Sequence, residues 1–411
     1  RMRNRNAWSV PGISLLIVAS LTLAGCGGGG GGGNGGGAGN TVSLTLTGAE
    51  WVAFQDGKEG TWQTLSSTSG SVPVNDAAGR YSVAWVCPGD KTTVYVVHTT
   101  RAETPSLSAT CGPATPPAEV NVSVNVSGLN GGSALTGIGE VPFVNSQTKP
   151  VPAGSYDVIS VRSSGGVPNR LWFHPNQSFT QDRTYTVDFS ASDETLRRVV
   201  DITAGTATVS GADMTEQVAG QFFYVSGTRS TLIGVGTIVG NGTLMRYPIF
   251  PSGVAPAGTL FRLNAIGTDR GVVLVQASFG NSVDLTLPPP YTAASFTSSS
   301  TGAVTVTVAG LDYAETPRAY ILRLSQGNLR WSVLFTRAWL GTDTTYTTPD
   351  LTSLSGWNNS WSLARSTQVD GECTVLVSTA PASVILDYFA GRPISASGQV
   401  RFAVRSQSFV P

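Results

Sequence analysis

The chain has 411 residues, a formal net charge of zero, 12% charged residues and glycine at 49 positions. Zero net charge excludes the basic footprint of nucleic-acid-binding proteins and gives no long-range field toward acidic polymers or substrates. Charged residues are scarce beside the ~25% that is usual in soluble proteins, and serine and threonine replace them, which is typical of secreted β-proteins. The length is sufficient for roughly two to four domains.

The first 25 residues show the order of features of a secretory signal peptide. Arg1, Arg3 and Arg5 come first, and an apolar run follows from Ile13 to Ala24. That run is shorter than the ~20 residues of a membrane-spanning helix. We therefore expect residues 1–25 to direct export and then to be removed.

The segment Leu23-Ala24-Gly25-Cys26 follows this run and resembles the lipobox of bacterial lipoproteins. In that family the cysteine thiol receives a diacylglyceryl group and the cysteine becomes the mature N-terminus, which assigns lipidation to Cys26. An aspartate after the cysteine is associated in that family with retention in the inner membrane, and here Gly27 stands instead. The resemblance implies a lipid anchor in the cell envelope, at the outer membrane on its periplasmic or surface side.

Residues 26–40 are predicted to be the lipidated cysteine and a flexible tether. Eleven of the residues from 27 to 39 are glycines. A glycine-rich coil of this length has an average span of about 20 Å. We expect it to hold the folded part away from the membrane.

Strand patterns begin at residue 41. Residues 42–46 alternate apolar and hydroxyl side chains with the period of a half-buried strand, and an Asp-Gly turn between two apolar segments predicts a hairpin at 51–65. Further strands are predicted at 81–86, 93–98 and 106–111. These patterns assign residues 41–112 to an N-terminal β domain, and a proline-rich linker follows at 113–118.

Three further cysteines lie beyond the predicted anchor. Cys87 and Cys111 are 24 positions apart and are predicted to form a disulfide, since exported proteins keep such bonds. In the chain-entropy model the bond stabilises the fold by about 3–4 kcal/mol. Cys373 is left over in a predicted strand, and we interpret it as a buried free thiol.

Two sequence patterns recur along the chain. The alternation at 120–126 returns at 304–308 and, more loosely, at 42–48, each time with a glycine nearby. A Pro-Ala-Gly start precedes predicted strands at 152–158 and 256–263. We therefore predict three more β domains, at 119–195, 196–292 and 293–411, of which the last is rich in tryptophan.

Residues 120–190 combine Val122-Ser-Val124-Asn-Val126-Ser-Gly128 with Pro152-Ala-Gly154-Ser-Tyr156-Asp-Val158. This combination is similar to carboxypeptidase-regulatory-like and collagen-adhesin B-type modules. The resemblance implies small prealbumin-type β-sandwiches that serve as spacers and adhesive modules. Together with the short, evenly spaced strand patterns, it predicts an all-β chain of tandem β-sandwich-like domains.

The sequence offers little catalytic or metal-binding chemistry. Its two histidines, His98 and His174, are far apart, and neither belongs to a metal-ligand spacing. No Gly-x-Ser-x-Gly segment occurs to suggest a hydrolase nucleophile. We expect no catalytic residues, no metal and no cofactor.

Tryptophans of the last domain are the candidate ligand-binding residues: Trp331, Trp339, Trp357 and Trp361. Exposed rings at these positions would suit stacking on sugars. Buried rings would instead fill a sandwich core, where large aromatics contribute much of the apolar burial. Of these two interpretations, core packing is the one that the sequence favours, and sugar binding is the alternative.

These observations predict a lipid-anchored envelope protein with a non-catalytic structural or interaction role, and a protein or glycan as its partner. One alternative is a carbohydrate-binding lipoprotein that uses the C-terminal tryptophans. The second is an extracytoplasmic hydrolase, in which His98 or His174 would lie within hydrogen-bond reach of a serine or an acid in a cleft.

Overall fold

The computed structural model describes residues 40–112, 118–194, 196–227, 229–389 and 396–411. The predicted signal peptide, Cys26 and nearly all of the tether and the proline-rich linker lie outside these ranges. Within them the chain is built almost entirely of β-strands in stacked sheets, which confirms the predicted all-β, tandem sandwich-like fold. No helix in the described ranges is long and apolar enough to cross a membrane.

Unit 1 covers residues 40–112. Its first strand alternates exposed hydroxyl and buried apolar side chains, as its sequence predicts, because successive residues of a strand point to opposite faces. The strands are β1 (Thr41–Thr47), β2 (Trp51–Asp56), β3 (Gln63–Thr64), β4 (Ser69–Pro73), β5 (Arg80–Cys87), β6 (Thr92–Thr100) and β7 (Ser106–Thr110). β1 lies between β4 and β7 in a short sheet, and the remaining strands pair in the order β3-β2-β5-β6.

Unit 2 covers the described residues from 118 to 201. Its strands are β8 (Glu119–Ser127), β9 (Ser133–Ile138), β10 (Val141–Val144), β11 (Gln147–Pro152), β12 (Gly154–Ser164), β13 (Val167–Phe179), β14 (Arg183–Asp188) and β15 (Arg198–Asp201). The short sheet has the order β11-β8-β14, and the second sheet the order β10-β9-β12-β13-β15.

Unit 3 covers the described residues from 203 to 287. Its strands are β16 (Thr203–Ser210), β17 (Gln217–Ser226), β18 (Arg229–Val239), β19 (Gly242–Ile249), β20 (Leu260–Ile266), β21 (Arg270–Gln276) and β22 (Ser282–Thr286). The short sheet has the order β19-β16-β22, and the other strands pair as β18-β17-β20-β21. β16 is a first strand that the sequence patterns missed.

Unit 4 covers the described residues from 291 to 411. Its strands are β23 (Ser295–Ser298), β24 (Val306–Ala309), β25 (Ala319–Gln326), β26 (Leu329–Thr336), β27 (Thr345–Thr347), β28 (Val369–Ser378) and β29 (Gly398–Phe409). Two helices, α1 (Arg337–Leu340) and α2 (Ala382–Phe389), interrupt them, and the strand patterns predicted neither.

Units 1, 2 and 3 repeat one topology. In each, the first strand pairs antiparallel with the fourth and parallel with the last strand of its short sheet. The strands that follow the two Pro-Ala-Gly starts, β12 and β20, occupy the same place in their units as β5 does in unit 1. In unit 4 the place of the parallel last strand is taken by β23, which runs antiparallel to β24.

Glycine follows the central strand of every short sheet in the described chain. Its φ angle lies in the left-handed region in each case, at Gly48 (+76°), Gly128 (+70°), Gly211 (+78°) and Gly310 (+79°). A side chain there would be strained. At Gly310 the side chain would also collide with the backbone of an adjacent segment, because its Cβ would lie 2.2 Å from the carbonyl oxygen of Ala293.

Units 1, 3 and 4 share one long sheet, which counts twelve strands in the described residues. Its order is β18-β17-β20-β21-β29-β28-β25-β26-β6-β5-β2-β3. Unit 4 therefore lies between units 3 and 1: β29 pairs antiparallel with β21, and β26 pairs parallel with β6. The domain boundaries remain a prediction from the sequence. Strands from three of the predicted domains hydrogen-bond to one another within this long sheet.

Apolar cores lie on both faces of the long sheet. One core joins Trp51 and Val96 of unit 1 to Phe335 and Trp361 of unit 4. The core on the other face again combines these two units and includes residues of α2. Units 1 and 4 are thus held together by a shared strand pairing and by two shared cores.

Candidate functional site

His98 lies on β6 in the core between units 1 and 4. Its Nδ1 is 2.7 Å from Ser82 Oγ, and its Nε2 is 2.7 Å from the Tyr346 hydroxyl. Burial, with Lys58 as a second cause, lowers the pKa of His98 to about 3. The imidazole is therefore neutral and accepts one hydrogen bond while it donates the other.

The contact between His98 and Ser82 has the distance of a base–nucleophile pair but lies in a closed environment. His98 is 3% exposed and Ser82 is 0% exposed. Trp339 packs 4.2 Å from the imidazole, measured between ring centroids. A nucleophile must reach its substrate, so this buried arrangement connects units 1 and 4 rather than forming a catalytic cleft.

His174 lies on β13 at the surface of unit 2. Its Nδ1 is 2.7 Å from the hydroxyl of Tyr185, and this phenol, not a serine or a carboxylate, is the hydrogen-bond partner seen in the described residues. Partial burial lowers the pKa of His174, and the nearby guanidinium groups of Arg197 and Arg183 contribute. Nothing here resembles a general base poised on a nucleophile.

Metal-ligating side chains do not cluster in the part of the chain that the structure describes. No group of three or more His, Cys, Asp or Glu side chains there could hold an ion. Asp182, for example, accepts a hydrogen bond from the backbone N–H of Asn121. Asp193 pairs with Arg198 at 2.8 Å.

The candidate tryptophans Trp331, Trp357 and Trp361 meet in one cluster with Trp51 of unit 1. Ring centroids of Trp51 and Trp357 are 5.0 Å apart, and those of Trp357 and Trp361 are 5.4 Å apart. The indole N–H of Trp331 donates to the carbonyl oxygen of Trp361 at 2.9 Å, and that of Trp51 to Ser355 at 3.1 Å. The sequence could not indicate this cluster, because Trp51 belongs to unit 1 and lies far from the other three tryptophans in the sequence.

Three of the candidate tryptophans lie in the protein core, and Trp357 packs against it. Trp331 and Trp339 are each 5% exposed and Trp361 is 9% exposed, while Trp357 is half-buried. Sugar stacking needs an open ring face, and here the rings pack mainly on one another. Ligand binding by these residues stays a prediction, without the exposed stack that would support it.

The cysteines are arranged as the sequence predicts where the structure describes them. Cys87 and Cys111 form a disulfide that connects the end of β5 to the segment after β7. Cys373 is a buried free thiol on β28, and burial raises its pKa to about 12. Cys26 lies outside the described residues, so its lipidation stays a prediction.

The outward faces of the short sheets present rows of hydroxyl groups. In unit 1, register places Ser43 between Ser71 and Ser106, and all three are exposed. Cross-strand hydroxyl pairs recur in the other units: Ser123 with Thr148 at 2.7 Å, Ser210 with Thr286 at 3.1 Å, and Thr307 with Thr347 at 2.8 Å. These faces explain the low charge of the chain, and they offer interaction surface without reactive groups.

Comparison with known proteins identifies no family. No family model matches the chain, and no curated protein matches it. Among solved structures it is similar to the N-terminal four Ig domains of Dscam1 isoform 8.4, with 9% identity and a TM-score of 0.15 over 89% of this chain and 98% of that one.

A second solved structure to which the chain is similar is the tetra-tandem repeat in the extending region of a large adhesion protein. The identity is 10% and the TM-score 0.12, over 88% of this chain and 90% of that one. Scores of this size carry no argument, so the assignment to the class of all-β proteins of tandem sandwich-like units rests on the strand topology described above.

Proposed function

We propose that this chain is a lipid-anchored protein of the bacterial cell envelope with a non-catalytic structural or interaction role. The observation that carries the proposal is the burial of the side chains that could react or bind: His98, Cys373 and three of the four candidate tryptophans, Trp331, Trp339 and Trp361, lie inside the protein. What the folded part offers to other molecules is sheet surface covered with hydroxyl groups. The lipobox and the glycine-rich tether supply the proposed attachment at Cys26.

The anchor is tested with the full chain expressed in a bacterium that is fed a labelled fatty acid. We expect the wild-type chain to carry the label and to fractionate with membranes, and Cys26→Ser to lose both properties. Cys373→Ala is the matched control, because it removes the other unpaired thiol and leaves the lipobox intact. Label retained in Cys26→Ser would overturn the anchor.

The non-catalytic interaction role is tested with the full chain on a broad glycan panel and by cross-linking on intact cells. A specific partner captured by cross-linking, with no glycan bound, supports the proposal. Specific glycan binding that is lost in Trp357→Ala, while the variant keeps the wild-type melting temperature, would replace it with the carbohydrate-binding alternative. Trp357 is suited to this substitution because it is the half-buried member of the cluster.

A further inference from the structure

A polar row of side chains crosses the long sheet where units 1 and 4 pair. Side chains of residues that are direct neighbours on paired strands lie on the same face of a sheet. The strand registers make five residues neighbours in this way across β5, β6, β26, β25 and β28: Trp85, Tyr95, Ser332, Arg323 and Glu372. The row therefore sets a small serine between a tyrosine ring and a guanidinium group.

Ser332 lies at the centre of three larger side chains that all donate hydrogen bonds. Its neighbours on either side, Tyr95 and Arg323, stand two strand spacings apart, or about 9–10 Å between their backbones. Arg330 precedes Ser332 by two residues on β26, so its side chain leaves the same face about 6–7 Å along the strand. Ser332 itself is 4% exposed. Two guanidinium groups and one phenol O–H thus surround one small residue.

The carboxylates on this face of the sheet leave Arg330 without an ionic partner. Glu372 pairs with Arg323 at 3.0 Å. Asp370 lies two strands from Arg330 and accepts hydrogen bonds from neighbouring polar side chains. Arg330 is half-buried, and none of the ion pairs among the described residues involves it. A partly buried charge without a partner is costly, so a bound anion would be stabilising here.

The electrostatic environment connects the same three donors. Burial raises the pKa of Tyr95, and the guanidinium groups of Arg330 and Arg323 oppose that rise. Burial lowers the pKa of Arg330, Tyr95 opposes that change, and the like charge of Arg323 adds to it. Trp85 is 3% exposed and stacks on Tyr95 with ring centroids 5.1 Å apart, and its indole N–H has no hydrogen-bond partner in the described part of the chain. The area is therefore rich in donors, and its phenol ring is held by packing.

We propose that Arg330, Arg323 and Tyr95 form a binding site for a phosphate group above Ser332. Arginine suits phosphate because its planar guanidinium group presents paired N–H donors. Donors that come from three sides match a tetrahedral oxyanion better than a planar carboxylate. Tyr95 belongs to unit 1 and both arginines belong to unit 4, so a bound phosphate bridges the two units. Free phosphate and a phospholipid headgroup offer the same chemistry, and the site does not depend on the proposed lipid anchor.

Calorimetric titration of the full chain with inorganic phosphate tests the site, with Cys26→Ser in every protein so that no lipid anchor contributes. We expect saturable binding, which Arg330→Gln weakens by about tenfold or more because charge-assisted hydrogen bonds are lost. Arg246→Gln is the matched control, since Arg246 is exposed on β19 of unit 3, and it should bind as the parent does. Tyr95→Phe keeps the stacking on Trp85, loses only the hydroxyl, and should weaken binding by about threefold.

Vesicles distinguish the two sources of phosphate. Co-sedimentation compares phosphatidylcholine vesicles with vesicles that also contain phosphatidic acid. Binding to the phosphatidic acid vesicles that Arg330→Gln abolishes assigns the site to a lipid headgroup, whereas titrated phosphate binding without vesicle binding assigns it to free phosphate. The proposal is overturned if the parent binds no phosphate, or if Arg330→Gln binds as tightly as Arg246→Gln. If Arg330→Gln does not keep the parent's melting temperature, Tyr95→Phe decides by the same comparison.

Discussion

At the scale of single residues, the environment of His98 determines its role. Its two ring nitrogens are satisfied by Ser82 of unit 1 and Tyr346 of unit 4, so the imidazole links the two units. Burial keeps it neutral, with a pKa of about 3 against an ordinary value of 6.5. The unfolded chain binds a proton below pH 6.5 and the folded chain does not, so the stability due to His98 falls as the pH decreases below 6.5.

We predict that the wild-type protein loses about 2 kcal/mol more unfolding free energy than His98→Gln between pH 7 and pH 5, at 1.36 kcal/mol per pKa unit. Glutamine retains hydrogen-bonding atoms and does not titrate. Urea unfolding at a series of pH values measures the difference. Parallel pH profiles for the two proteins would contradict the prediction.

At this scale the sequence allowed the disulfide to be predicted, but not the partners of the tryptophans. Cys87 and Cys111 form the disulfide that the sequence predicts, and the end of β5 and the segment after β7 bring their Cα atoms to 5.2 Å. The packing of Trp361 against Trp51 of unit 1, with ring centroids 6.3 Å apart, could not be predicted, because the two residues are far apart in the sequence. Residue type alone does not say which face of a tryptophan is covered.

At the scale of elements, the described chain turns at a glycine directly after the central strand of each short sheet. The turn after β24 places Gly310 at a φ of +79° against Ala293, and the turns after β1, β8 and β16 repeat this geometry. Strong alternation allowed β1, β8 and β24 to be predicted from the sequence. β16 was missed because its inward positions include Gly205 and Ala207, whose small size weakens the apolar period.

Gly310→Ala should destabilise the protein by about 3–4 kcal/mol, since a left-handed φ and a steric overlap combine. Gly253 is the matched control, because its φ is +80° and no heavy atom lies within 4 Å of an added Cβ. We expect Gly253→Ala to cost only about 1–2 kcal/mol. If chemical denaturation gave the same loss of unfolding free energy for Gly310→Ala and Gly253→Ala, the contact with Ala293 would contribute nothing to the destabilisation.

At the scale of the whole molecule, units that are distant in sequence form one cooperative structure. β6 and β26 pair in parallel over Thr92–His98 and Leu329–Phe335. Hydrophobic patterns predicted β6, but they could not predict this pairing, because an edge strand presents the same backbone groups to any partner. The sandwich class was therefore predictable, and the order of units in the long sheet was not.

Phe335→Ala should lower the unfolding free energy by about 3–5 kcal/mol, the usual cost of deleting a core phenyl ring. Phe335 is 0% exposed and stacks on Tyr346 at 4.3 Å. Because units 1 and 4 share cores, we expect faster hydrogen exchange at Val94–Val97 of β6 as well as in unit 4. Phe143→Ala, in the separate core of unit 2, should leave β6 protected.

An increase in exchange restricted to unit 4 in Phe335→Ala would contradict this coupling. The same result in both variants would mean that the substitutions loosen the chain generally. Only faster exchange in units 1 and 4 with Phe335→Ala, and not with Phe143→Ala, supports a shared cooperative unit.

The parallel pairing of β6 with β26 also has a consequence for the time course of biogenesis. A chain that leaves the ribosome or the export channel N-terminus first completes β6 more than 200 residues before β26. During that interval the edge of β6 and the apolar face around Val94 and Val96 have no neighbour, and such surfaces are prone to misassembly. We therefore expect β6 to complete its packing only after β26 has been made, and a holding factor would matter most during that delay.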